Sequence, residues 1–164
     1  MFRAMRRSVQ QLSDAECVEI LNRCTNGVLS VSGDDGYPYG VPVSYAYDNG
    51  KLYFHCAKVG HKLDAIAGNE KVCFTVVDLD RVIPEKLTTA FRSVIAFGTA
   101  KVLTDPAEKL RTHILFSDKY AHDFPKETEE EIKSGLDRME MVEITIQHMT
   151  GKEGIELTRA RKKA

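Results

Sequence analysis

The chain has no tryptophan, and its four cysteines (Cys17, Cys24, Cys56 and Cys73) form no C-x-x-C pair. That spacing argues against a zinc ribbon, and without an export signal a disulfide framework is not expected either. Arg3, Arg6 and Arg7 are followed by no apolar core, so the N-terminus does not read as a signal peptide. Charges or glycines interrupt every apolar run well short of the ~20 residues a membrane-spanning helix needs. A formal net charge of −1 over 164 residues gives no electrostatic reason to expect nucleic acid. The sequence signatures of catalysis are missing as well: there is no G-x-S-x-G elbow, no H-E-x-x-H and no phosphate-binding G-x-x-x-x-G-K-[ST] loop. The expectation is a cytoplasmic protein with reduced thiols and neither a membrane nor a nucleic-acid partner.

What is present is mostly strand. Lys51–Cys56 alternates Leu52, Phe54 and Cys56 against Lys51, Tyr53 and His55, then passes through Gly60 into a helix opening at His61-Lys62. Before it, Tyr37–Tyr47 alternates Val41, Val43, Tyr45 and Tyr47. The Asp48-Asn49-Gly50 turn predicts that these two runs pair antiparallel. Val28–Ser32, Lys71–Asp78, Ala90–Leu103 and Met141–Gln147 supply further strands. Gly98 in mid-strand marks a bend. Helices are predicted from the Ser13-Asp-Ala-Glu16 capping box, after Gly60, from Thr104-Asp-Pro-Ala-Glu108 to near Asp118, and over the acidic stretch 126–138. Residues 79–89 and 148–154 read as loops. With no βαβ alternation and no internal repeat, the economical architecture is mainly β: a small closed or split barrel of about six antiparallel strands with flanking helices. A single domain over residues 1–156 is expected, with a basic, mobile tail at 157–164.

Pro38 and Pro42 each remove a ladder donor from a strand, which implies an edge, a bulge or a place where something other than a strand lies alongside. A strand–Gly–helix junction carrying His61 and Lys62 suits a phosphate, through unpaired helix N–H groups and cationic side chains. Arg92 and Ser93 are polar interruptions in an apolar strand. A metal site built from His55, Cys56 and His61 is disfavoured, because His55 and Cys56 point to opposite faces of one strand. No metal is expected. The residues outline a cradle for a flat cofactor with a phosphate tail.

The succession Tyr37-Pro-Tyr-Gly-Val-Pro-Val-Ser-Tyr45, Tyr53-Phe-His-Cys-Ala-Lys-Val-Gly-His-Lys62 and Phe91-Arg-Ser-Val-Ile-Ala-Phe-Gly98, with the late Thr150-Gly-Lys-Glu153, resembles the pyridoxamine 5'-phosphate oxidase-like split barrels. Within them it looks closest to the nitroimidazole-resistance (Nim-type) branch. The resemblance implies an FMN-binding split barrel and a homodimer with FMN at the interface. Val41, Pro42 and Val43 would lie along the isoalloxazine, and Ser44 would be a further cofactor-binding residue. His55 and Ala57 would line the ribityl and ring region, with Cys56 as a further cofactor-binding residue, and His61 and Lys62 would hold the phosphate. Arg92 and Ser93 would reach the partner subunit's FMN. His55 matches a histidine implicated in function in that branch and is the catalytic candidate. The implied activity is reduction of small (nitro)aromatic or quinone-like acceptors, with NAD(P)H as a possible donor. The alternatives are a non-catalytic flavin carrier and a haem-binding relative on the same barrel. The chain lacks the Trp-containing, Arg-rich C-terminal segment of the true oxidases, so pyridoxamine phosphate oxidase activity is not expected.

Overall fold

The computed structural model describes residues 1–124, 126, 130, 132, 134–136 and 138–163. Six of the thirteen residues of the helix expected over 126–138 lie outside the described residues. The strands are β1 (Asn26–Ser32), β2 (Pro38–Ser44), β3 (Ala46–Asp48), β4 (Lys51–Ala57), β5 (Lys71–Ile83), β6 (Thr88–Val102) and β7 (Met139–Glu153). The helices are α1 (Asp14–Arg23), α2 (His61–Gly68), α3 (Pro106–Tyr120) and α4 (Ile155–Arg161). All pairings are antiparallel, in the order β2-β1-β5-β6-β7-β4-β3.

The two outermost strands of that order are consecutive in the chain, separated only by Tyr45. β2 and β3 are thus one extended run that leaves β1 and joins β4, closing the sheet into a split barrel. Counted this way the barrel has the expected six runs. The pairing of Tyr37–Tyr47 with the following strand is narrower than predicted. Only Ala46–Asp48 pairs with Lys51–Tyr53, whereas Pro38–Ser44 pairs along its length with β1. Asn49 and Gly50 both take positive φ, as the tight turn between β3 and β4 requires.

Two predicted loops are strand. Residues 79–83 and 88–89 extend the β5–β6 hairpin, and β7 runs on through 148–153 because its pairing with β6 reaches Glu153. The expected tail instead begins as α4, with Thr158 buried and Arg161 paired to Glu16 and Glu153.

Alternation along the strands fills the interior with Leu29, Val31, Leu52, Phe54, Val72, Phe74, Val76, Val94, Ala96, Val142 and Ile144, each buried. At ~1.5–3 kcal/mol per fully buried large apolar side chain, this interior is the main source of stability. α1 starts with the predicted capping box, Ser13 and Glu16 exchanging hydrogen bonds, and buries Cys17, Ile20 and Leu21 against the barrel. Gly98 sits at a register shift between β6 and β7, and a Cβ there would collide with the Thr145 carbonyl oxygen. The predicted bend is a close approach that only glycine permits. Among the described residues no helix is long and apolar enough to cross a membrane.

Candidate functional site

Past the point where β3 leaves it, β4 has, among the described residues, a paired strand on one side only. His55, Cys56 and Ala57 pair with Met141, Glu140 and Met139 of β7. On the other side of the gap, Val41, Pro42, Val43 and Ser44 pair with Leu29, Val28, Gly27 and Asn26 of β1. Each strand therefore turns an unpaired edge towards the other. A groove of about 350 Å³ occupies the gap, lined by Val41, Pro42, Val43, Ser44, His55, Cys56, Ala57 and Lys62. The lining residues are consecutive on both strands, so the walls are strand edges as much as side chains. Such walls offer main-chain N–H and C=O groups to a ligand, except at Pro42, which has no donor. The volume is within the ~300–1,000 Å³ usual for small-molecule and cofactor sites.

Lys62, on the first turn of α2, supplies positive charge to this groove. That helix begins at Gly60, whose φ of 141° is open to glycine and strained for other residues, and no side chain caps it. The Gly60 carbonyl accepts from the N–H of Leu63 and Asp64. Uncapped first-turn N–H groups beside a lysine favour an anion. His61 is placed differently. Its ring stacks on Tyr39 at 4.2 Å and its Nε2 lies 3.6 Å from Asp34, so the imidazole belongs to the β1–β2 turn and does not line the groove. Burial holds the Cys56 thiol above its ordinary range, with Lys62 opposing the effect and Glu140 adding to it, so Cys56 stands as a neutral thiol.

Arg92 and Ser93 do not line the groove either. Asp78 is the extra residue of a bulge between Val77 and Leu79. Its carboxylate accepts two 2.7 Å hydrogen bonds from Arg23 and one of 3.4 Å from Arg92, and the Arg23 bonds hold it below the usual range. Arg92 also lies 3.8 Å from buried Glu153. Arg92 is thus held in ion pairs on the inner face of β6. Ser93 is on the outer face, beside Val77 and Ile95.

Residues on α3 that sequence reasoning did not bring to the site contact its neighbours without lining the groove. The Tyr120 hydroxyl accepts the Tyr45 N–H at 3.1 Å and reaches the Tyr45 and Thr25 carbonyl oxygens, pinning the break between β2 and β3. Phe116 lies 5.0 Å from the His55 ring and His113 lies 6.3 Å from it. Their spacing of three and four residues, one helical stripe, was the available signal. A roomier hollow of about 430 Å³ opens elsewhere, among Ser30, Tyr37, Lys71, Cys73 and Phe97, and contains none of the predicted residues.

The sequence pattern of the family described as pyridoxamine 5'-phosphate oxidase matches residues 13–153. The chain belongs to that family. No curated protein matches it. Among solved structures, it is 20% identical to a candidate 5-nitroimidazole antibiotic resistance protein of Bacteroides thetaiotaomicron, covering 87% of this chain and 86% of that one at a TM-score of 0.73. It is 24% identical to an FAD-binding protein of Mesorhizobium loti, covering 87% and 94% at a TM-score of 0.63. It is 22% identical to the flavocytochrome Anf3 of Azotobacter vinelandii, covering 92% and 72% at a TM-score of 0.76. At such identities these likenesses speak to the fold alone.

Proposed function

We propose that the chain binds FMN in the groove between β2 and β4 and acts as a flavin-dependent oxidoreductase on small nitroaromatic or quinone-like acceptors. The observation that carries this reading is the pair of facing, unpaired strand edges with Lys62 and an uncapped helix start beside them. Family membership supports it, as do similar structures whose names refer to FAD binding and to a flavocytochrome. A bound flavin would supply the hydride or electron transfer. The chain's own part is to bind and orient. Main-chain groups of Val41–Ser44 and His55–Ala57 would hold the ring and ribityl portions, and Lys62 with the first turn of α2 would take the phosphate. His61 would contribute its backbone N–H, since its side chain is engaged with Tyr39 and Asp34. His55, exposed at the groove's lip, carries an imidazole that can give or take a proton and is assigned the catalytic role.

The functional unit in this reading is a homodimer. The outer face of β1, β5 and β6 presents Val28, Thr75, Val77, Ile95 and Phe97 without a charge among them, and Val28 pairs directly with Pro42 at the groove's edge. A second copy seated there would bring Ser93 towards its neighbour's groove, while Arg92 keeps its structural pairs. NADH or NADPH would be the reductant.

The test is the visible spectrum of freshly purified protein, with chromatography of the ligand that heat releases. A two-banded flavin spectrum and released FMN are expected. Colourless protein that also fails to take up added FMN overturns the assignment. Bound FMN without oxidation of NADH or NADPH in the presence of any acceptor removes the oxidoreductase and leaves a carrier.

A further inference from the structure

We propose that Phe116 and His113 of α3 are positioning residues that fix the His55 imidazole at the lip of the groove and act on the acceptor step through it. The proposal rests on the flavin reading of that groove and adds two residues to it. His55 projects from a strand whose neighbouring edge, on the groove side, has no partner strand. On its paired side His55 has Met141 of β7 as its cross-strand neighbour, and on the groove side a further element can set the ring's orientation. α3 is that element. Phe116, only 6% exposed, places its ring 5.0 Å from that of His55 at 57°, and His113, equally buried, lies 6.3 Å away and nearly parallel at 14°.

The helix is itself fixed on both sides of the split. Phe116 stacks on Tyr120 at 5.5 Å, and the Tyr120 hydroxyl holds Tyr45 where β2 passes into β3. Arg111 donates to the Tyr53 hydroxyl of β4 at 2.9 Å and to the Asp48 carboxylate of β3 at 2.9 Å. Arg111, Phe116 and Tyr120 thus tie α3 to β3, to β4 and to the end of β2. The surface that fixes the groove's margins is the surface that meets His55. An imidazole set before the acceptor arrives loses less orientational freedom at the reactive step, which appears in turnover more than in binding.

Two readouts decide the matter. In ligand-free protein with 13C-labelled histidine, the His55 ring resonance is identified by its loss in His55→Asn. Phe116→Leu and His113→Asn are each expected to shift or broaden it, whereas Ile114→Ala, on the exposed side of the same helix, is expected to leave it in place. In the FMN-loaded protein, Phe116→Leu is expected to keep the FMN Kd and the acceptor KM within ~3-fold while lowering kcat by ~10-fold or more. Added to His55→Asn, it should cost nothing further beyond ~2-fold, because the two substitutions remove the same function. A folded Phe116→Leu with an unmoved His55 resonance overturns the proposal. So does a kcat loss that multiplies with that of His55→Asn, or an FMN Kd that weakens as much as turnover. If Phe116→Leu does not fold, Phe116→Met takes its place, removing the ring but leaving a flexible side chain that fills irregular gaps. Wild-type protein that binds no FMN ends the flavin reading, while the resonance experiment still decides whether α3 holds His55.

Discussion

Replacing Tyr120 by phenylalanine removes a single oxygen atom from the point where the barrel divides, and the structure sets the size of the effect. That oxygen accepts the Tyr45 N–H at 3.1 Å and donates to a carbonyl, Tyr45 at 2.7 Å or Thr25. Tyr45 is fully buried, and its N–H lies in the gap between two strands, where no ladder partner replaces the lost acceptor. An orphaned buried donor costs ~1–3 kcal/mol, and the second hydrogen bond adds ~1 kcal/mol. Tyr120 itself is 38% exposed, so water can recover part of this; the lower end, ~2 kcal/mol, is the expected loss. For a chain of this size that corresponds to ~4–8 °C in Tm. Urea unfolding followed by circular dichroism measures it, and the same protein should bind FMN more weakly, because Ser44 borders both the break and the groove. A Tyr120→Phe variant within ~0.5 kcal/mol of wild type, with an unchanged FMN Kd, would refute the claim that this hydroxyl holds the split.

Further expectations concern charge and close packing. Lys62→Ala should raise the FMN Kd by ~10–100-fold, the value of one charge-assisted contact, as read by flavin fluorescence titration; an unchanged Kd would remove Lys62 from the phosphate site. Asp78 has its folded pKa lowered, chiefly by its hydrogen bonds to Arg23. The stability it contributes is therefore present above the unfolded value near 3.8 and lost as pH falls through the lower folded value. Asp78→Asn should flatten the acid limb of a stability–pH curve, and identical acid limbs would contradict this. Gly98→Ala forces a methyl group onto the Thr145 carbonyl and should destabilise by ~2 kcal/mol or more in chemical denaturation.

Features set by neighbours in sequence were legible from it. The Ser13–Glu16 cap, the Asp48-Asn49-Gly50 turn, the Asp105 start of α3 and the interruption at Pro42 all depend on residues within a few positions. The break at Tyr45 was not. Val41, Val43, Tyr45 and Tyr47 keep a strand's alternation straight across it, and the contact that ends β2 comes from Tyr120, 75 positions away. For the same reason Arg92 was read as a polar interruption that would reach the partner subunit's FMN. Its partners Asp78 and Glu153 come from two other strands, one through a bulge that periodicity does not announce. His61 was read through its cationic character, whereas stacking on Tyr39 decides where it points. The groove residues on β2 and β4 converged as expected because both runs were anchored by one local turn.

The unmade ladder between β2 and β4 has a consequence for the protein before it meets any ligand. An exposed strand edge is a template for any other extended chain, and this barrel keeps two of them face to face. A nascent molecule with an empty groove is therefore prone to adhesion at the spot that a bound ligand would seal. If the groove holds flavin as proposed, flavin supply during synthesis protects against aggregation, and starving the host of riboflavin should lower the yield of soluble protein before it lowers the activity of each surviving molecule.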